Sequence, residues 1–249
     1  MFITIRELYN DTCHFVSKEI KTIFFISVIT TFISILINML IKPDMHIISI
    51  IENNRFINSY SVFDFINNMT EYEKKELLKY SIFKIIEFLT SKTFLLGSII
   101  TLITYLSNRK KQKITSSIMF LAKILPSLFI LNCITNIIIQ IGFMFFILPG
   151  IFLSILLALS PIIFSFQKNT LIESIRLSIA ISWKYINIIG TGVLLWMCVK
   201  FILTKILLNI HLMNKNFISF ILNINMNIFF SILIIYLFRF YMLFSRTEK

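Results

Sequence analysis

Six stretches of about twenty apolar residues recur along this chain, and no other feature constrains its fold as strongly. They run approximately from Thr22 to Ile41, Phe83 to Leu106, Ile124 to Phe146, Gly150 to Phe166, Ile186 to Leu208 and Phe217 to Leu243. A helix rises about 1.5 Å per residue, so about 20 apolar residues cross the roughly 30 Å of bilayer hydrocarbon. Backbone groups in hydrocarbon must find partners within their own segment, which makes each span a helix. The expected fold is all-α: a polytopic bundle of six transmembrane helices with short interfacial helices, forming one integral membrane domain over residues 1–249. With 57% hydrophobic and only 14% charged residues, the chain falls far below the roughly 25% charge of a soluble domain.

The net charge of +12 excludes less than it suggests. Nucleic acid is not the expected partner, because the cations flank apolar spans and form no separate basic face. Their distribution sets an orientation instead. The stretch from Arg109 to Lys123 carries Arg109, Lys110, Lys111, Lys113 and Lys123 with no acid, whereas the connection from Lys42 to Ile82 balances its cations with Asp44, Glu52, Asp64, Glu71, Glu73 and Glu76. The positive-inside rule then places both termini in the cytoplasm. The first span is followed by Lys42-Pro43 with no small-x-small cleavage site, so it reads as a retained anchor.

Three segments outside the spans read as helices. Ile5, Leu8, Tyr9, Thr12, Phe15 and Val16 share one face, as in an interfacial helix. Thr70 with Glu73 forms a capping box in the outer loop, with Glu71 and Lys75 at four-residue spacing. Thr170 with Glu173 forms another, opening an amphipathic stretch through Ile175, Ile179 and Trp183 along the cytoplasmic surface. Between the third and fourth spans, Leu148-Pro149-Gly150 is expected to form the turn.

The motifs carry a family resemblance over nearly the whole length. Tyr9-Asn10-Asp11-Thr12, Val62-Phe63-Asp64 with Asn68-Met69, Ile124-Leu125-Pro126 and Leu128-Phe129-Ile130-Leu131 form the first part. Gln140-Ile141-Gly142 leading to Pro149-Gly150-Ile151, Ile155-Leu156-Leu157-Ala158-Leu159, and Ile235-Tyr236-Leu237-Phe238-Arg239 with Tyr241-Met242-Leu243 are its strongest elements. Together they resemble the YciC family of bacterial inner-membrane proteins. The resemblance implies a multi-pass location in the bacterial inner membrane and implies no activity. Lys84, Glu87 and Lys92 stand where that family's pattern has small or neutral polar residues.

No catalytic motif is visible. The chain has no phosphate-cradling glycine loop, no His-Glu-x-x-His and no nucleophile elbow. His14, His46 and His211 fall in different connections, and Cys13, Cys133 and Cys198 have no metal spacing. A non-enzymatic protein without metal or cofactor is expected.

Polar residues inside the spans are the better lead, since an ionised side chain at a bilayer's centre costs on the order of 3 kcal/mol. Counted from the outer end of the fifth span, Lys200 lies about 12 Å deep, with Trp196 one turn away. Asn132, Asn136 and Gln140 recur every four residues in the third span, and Ser219, Asn223, Asn227 and Ser231 do so in the sixth. Depth counting therefore predicts one polar cluster of Lys200, Asn136, Gln140, Asn223 and Asn227, with Glu87 as a partner for the lysine. The competing reading is structural: amides that hold helices together and a lysine that reaches outward to the interface.

Near the opposite surface, Arg239 and Arg246 join Arg109, Lys110 and Lys111 as candidate contacts for anionic lipid headgroups. Anchoring at the interface, with Tyr236 and Tyr241 beside Arg239, is the plainer alternative. The expected partners are membrane lipid and other inner-membrane proteins. The expected role is support of envelope or membrane homeostasis, with transport of a small solute or lipid through the Lys200 cluster as the alternative.

Overall fold

A computed structural model of the chain describes residues 5–40, 69–107, 114–166, 169–209 and 215–247. Val62-Phe63-Asp64, His46, His211 and the cations Arg109, Lys110, Lys111 and Lys113 lie outside the described residues. Among the described residues eight helices follow one another: α1 (Ile5–Leu40), α2 (Glu71–Ser107), α3 (Ile114–Phe145), α4 (Ile147–Leu157), α5 (Ser160–Ser165), α6 (Leu171–Lys184), α7 (Ile186–Asn209) and α8 (Lys215–Thr247). Six helical segments are long and apolar enough to cross a membrane, with α4 and α5 counted as one broken span. The protein is thus an all-α, multi-pass bundle, with spans close to those drawn from hydropathy. Two compact units emerge, Met1–Thr31 with Lys92–Lys249, and Phe32–Ser91.

The breaks between helices have local causes. α1 joins the interfacial segment and the first span in one helix, bent at Glu19 (φ −108°, ψ 17°). Just before the bend, the Ser17 hydroxyl donates to the His14 carbonyl at 2.9 Å. On its N-terminal part, Leu8, Thr12 and Phe15 are buried, whereas Ile5 and Tyr9 face outward. The break between the third and fourth spans falls at Phe146, the extended residue before α4 (φ −160°, ψ 162°). Leu148-Pro149-Gly150 is therefore the first turn of α4 and not the turn itself. Pro149 is tolerated there because the first helical N–H groups have no partner within the helix. Gly150 serves packing: a Cβ on it would collide with the Phe143 ring, and one on Gly142 would lie 3.1 Å from the Gly150 Cα. Farther on, Pro161 stands at the start of α5, separating it from α4.

Both capping boxes form. The Thr70 amide donates to Glu73 Oε2 at 2.8 Å and the Glu73 amide to the Thr70 hydroxyl at 3.3 Å; Thr170 and Glu173 repeat the pattern at the head of α6. Glu71 pairs with Lys74 at 3.0 Å rather than with Lys75. The buried face of α6 is a run of small residues, Ser174, Ser178 and Ser182, with Ile181. Ser178 donates to the Leu156 carbonyl of α4 at 2.7 Å. The apolar stripe turns outward, with Ile179 and Trp183 exposed. Small side chains let this helix approach the bundle closely, and an outward apolar stripe suits a helix lying against lipid.

The core of the larger unit gathers Leu95, Ile99 and Ile100 of α2, Leu128 of α3, Leu159, Ile162 and Ile163 around the α4–α5 break, Ile189 of α7 and Phe240 of α8. Such contacts in lipid act through close packing, because lipid tails are as apolar as leucine. Tyr236 belongs to this core. It is buried, and its hydroxyl donates to the Ile188 carbonyl at 2.8 Å, so it is no interfacial anchor.

Candidate functional site

Among the described residues, the polar side chains of the spans form several interhelical ties and one aromatic relay. Lys92 of α2 donates to Asn136 Oδ1 of α3 at 3.4 Å, Asn136 donates to the Asn132 carbonyl at 2.7 Å, and Asn132 donates to the Thr93 hydroxyl at 2.9 Å. Asn132 and Thr93 are each 2% exposed, so this line of polar groups satisfies itself inside the bundle. A second tie joins α8 to α1, where Asn227 donates to the Thr31 hydroxyl at 3.0 Å and that hydroxyl donates to the Ser27 carbonyl at 2.9 Å.

Lys200 lies on the protein surface, with Nζ 5.4 Å from the centre of the Trp196 ring. Trp196 packs on Phe230 at 5.4 Å, and the Lys92 ammonium lies 5.4 Å from the same Phe230 ring. Two lysines therefore flank one pair of aromatic rings, an arrangement in which each ring face attracts a cation.

The remaining residues of the expected cluster are placed elsewhere. Gln140 and Asn223 are exposed on α3 and α8 and make no side-chain hydrogen bond among the described residues. The pairing expected between Glu87 and Lys200 gives way to a local one. Lys84 donates to Glu87 Oε2 at 2.9 Å and to Asn38 Oδ1 at 2.8 Å, while Ser34 donates to the other Glu87 oxygen. Lys84 stands three residues before Glu87 on one helical face, so it reaches the carboxylate with little loss of chain freedom.

A cleft of about 380 Å³ opens at the N-terminal segment. Asp11, His14, Lys18 and Glu19 line it from α1, Ser107 from the end of α2, and Arg239 from α8, over an apolar floor that includes Phe15 and Ile103. The spacing 11, 14, 15 and 18 puts those residues on one helical face. Arg239 is half-buried, its guanidinium carbon 5.0 Å from the centre of the Phe15 ring. Its Nε is buried without a hydrogen-bond partner among the described residues, although a guanidinium has five donors to satisfy. Asp11, Lys18, Glu19 and Arg239 form no ion pair among the described residues. Arg246 is exposed in the last turn of α8, where a cation also complements the helix dipole.

A family model described as "Uncharacterised protein family (UPF0259)" matches residues 1–243. The chain belongs to that family. A UPF0259 membrane protein of Buchnera aphidicola subsp. Schizaphis graminum is 73% identical over 99% of this chain and all of the relative. One from Buchnera aphidicola subsp. Acyrthosiphon pisum (strain Tuc7) is 63% identical over the same share of each chain. A UPF0259 membrane protein of Yersinia pestis (strain Pestoides F) is 29% identical over 98% of this chain and 96% of its own. No solved structure matches. The resemblance to the YciC family read from the motifs is borne out over the full length, and this UPF0259 member is a multi-pass protein of the bacterial inner membrane.

Two features escaped the sequence. Lys92 was visible as a departure from the family pattern, yet its place beside Asn136 and Phe230 depends on helix rotation. The cleft needs the ends of α1, α2 and α8 to meet.

Proposed function

We propose that this UPF0259 protein is a non-enzymatic inner-membrane protein, with both termini in the cytoplasm, that supports envelope homeostasis by holding a membrane lipid by its headgroup. The cleft around Arg239 carries this reading. It combines an apolar floor with charged groups that form no ion pair among the described residues, as a headgroup site needs. The loop charges that favour an inward N-terminus put the cleft at the cytoplasmic interface, where headgroups lie. The test is native mass spectrometry of the full-length protein extracted in mild detergent. The wild type is expected to retain lipid, and Arg239→Gln to lose it by roughly tenfold, the equivalent of one charge-assisted contact. Equal retention by both proteins would remove the basis for the lipid reading.

A second reading, transport through the bundle, is favoured by one observation: a lysine, Lys92, placed in a line of polar side chains between α2 and α3. Intramembrane cations commonly mark pathways. A Lys92→Met protein that folds and fully replaces the wild type in cells would leave the polar line as a structural tie.

A further inference from the structure

We infer that the cleft between α1, α2 and α8 recognises a zwitterionic aminophospholipid headgroup, a phosphodiester joined to a primary ammonium as in phosphatidylethanolamine. The inference rests on the lipid reading above and names its ligand class.

The charge composition decides the class. Two acids, Asp11 and Glu19, share the cleft with two cations, Lys18 and Arg239. Opposite charges in one small cleft would ordinarily neutralise one another, yet these four form no ion pair among the described residues. Apart from the Thr22 hydroxyl, which donates to Glu19 Oε2 at 3.5 Å, their charges have no protein counter-charge among the described residues. A purely anionic headgroup would satisfy Arg239 and Lys18 but would bring a negative charge toward two carboxylates that have no cation partner among the described residues. A choline headgroup has the positive charge but no N–H to donate. A primary ammonium has three donors that two carboxylates can accept, while the phosphate takes the guanidinium.

Geometry supports the same assignment. The Arg239 guanidinium lies over the Phe15 ring, a contact that uses the face of the ring and takes up none of the guanidinium N–H donors a phosphate would need. The Nε of Arg239, buried with no hydrogen-bond partner among the described residues, is a donor held ready for a ligand. The bend at Glu19 sets the last carboxylate of the cleft where the polar segment of α1 passes into its apolar span. The volume of about 380 Å³ lies within the range of about 300–1,000 Å³ typical of small-ligand pockets. The apolar floor offers methylene contacts, which makes an intact lipid the source rather than a soluble headgroup.

The experiment offers the full-length protein, delipidated in detergent, an equimolar mixture of phosphatidylethanolamine, phosphatidylglycerol and phosphatidylcholine of identical acyl chains. Bound lipid is counted by native mass spectrometry, and thermal melting confirms that every variant is folded. Wild type is expected to hold phosphatidylethanolamine over each competitor by on the order of tenfold, the yield of one or two charge-assisted contacts. Asp11→Asn with Glu19→Gln is expected to reverse the order in favour of phosphatidylglycerol, and Arg239→Gln to lose all three. Should the double variant not fold, exposed Asp11 alone is neutralised, with a partial shift in the same direction. Preference of the wild type for phosphatidylglycerol would overturn this inference while leaving the lipid reading intact. Absence of any headgroup preference, unchanged in Arg239→Gln, would overturn both. Binding of glycerophosphoethanolamine as tight as that of the lipid would overturn the membrane source.

Discussion

Gly192 offers a quantitative test of how α7 and α8 pack. A Cβ at this position would lie 2.7 Å from Tyr236 Cε1 and 2.8 Å from Cδ1, whereas carbon atoms rest at about 3.5–4.0 Å. The ring must therefore retreat by about 0.8 Å if Ala is introduced. It is poorly placed to do so, because its hydroxyl donates to the Ile188 carbonyl at 2.8 Å and retreat would stretch that bond beyond useful length. Overpacking costs about 1–3 kcal/mol and the weakened hydrogen bond about 0.5–1.5 kcal/mol. The higher helix propensity of Ala offsets about 1 kcal/mol. Gly192→Ala is thus expected to destabilise the protein by about 1–3 kcal/mol. Gly190, two residues earlier, is the control: a Cβ there would meet Ile155 at 3.6 Å and 4.0 Å, ordinary contact. Gly190→Ala should be neutral or stabilising by up to about 1 kcal/mol. Thermal unfolding of both variants in one detergent, followed by size-exclusion chromatography, separates the two cases. Equal melting temperatures for the two variants would refute the packing argument.

Three further expectations follow from particular contacts. A double-mutant cycle of Asn132→Leu and Thr93→Val should give a coupling of about 0.6 kcal/mol by unfolding in detergent, the usual worth of a hydrogen bond between membrane helices; zero coupling would mean the tie between α2 and α3 is not formed. Thr170→Ala should cost about 0.5–2 kcal/mol through loss of the cap of α6, read as a lower melting temperature, with Thr170→Ser restoring most of it. For orientation, Cys13 in a protein lacking Cys133 and Cys198 should resist a membrane-impermeant maleimide in spheroplasts, while Thr70→Cys in a cysteine-free background should react; the opposite pattern would invert the proposed topology.

The spans were legible because hydrocarbon thickness imposes a length that few other structures share. Helix starts were legible where a side chain closes the first turn, as at Thr70 and Thr170. Rotation about the helix axis was not. Residues four apart drift by about 40° around a helix, so Asn132, Asn136 and Gln140 do not stay on one line: the first is buried, the second half-buried and the third exposed. Asn227 and Asn223 part in the same way. Depth alone could not tell these positions apart, nor could it show that Lys84 would take Glu87. Gly150 misled for a related reason, since a glycine that permits reversal and one that permits close approach are the same residue in a sequence. The apolar stripe of α6 pointed outward because, in a membrane, the apolar face of a helix has lipid as a second place to go.

The proposed function requires lipid to be held at one place, the cleft around Arg239. Photo-crosslinking with a phosphatidylethanolamine whose headgroup bears a diazirine, followed by peptide mapping of the full-length protein, tests it most directly. Crosslinks concentrated on residues 11–19, 103–107 and 239–242, and lost in Arg239→Gln, are the predicted result. Crosslinks spread evenly over the headgroup-level surface of the bundle, unchanged by that substitution, would contradict it.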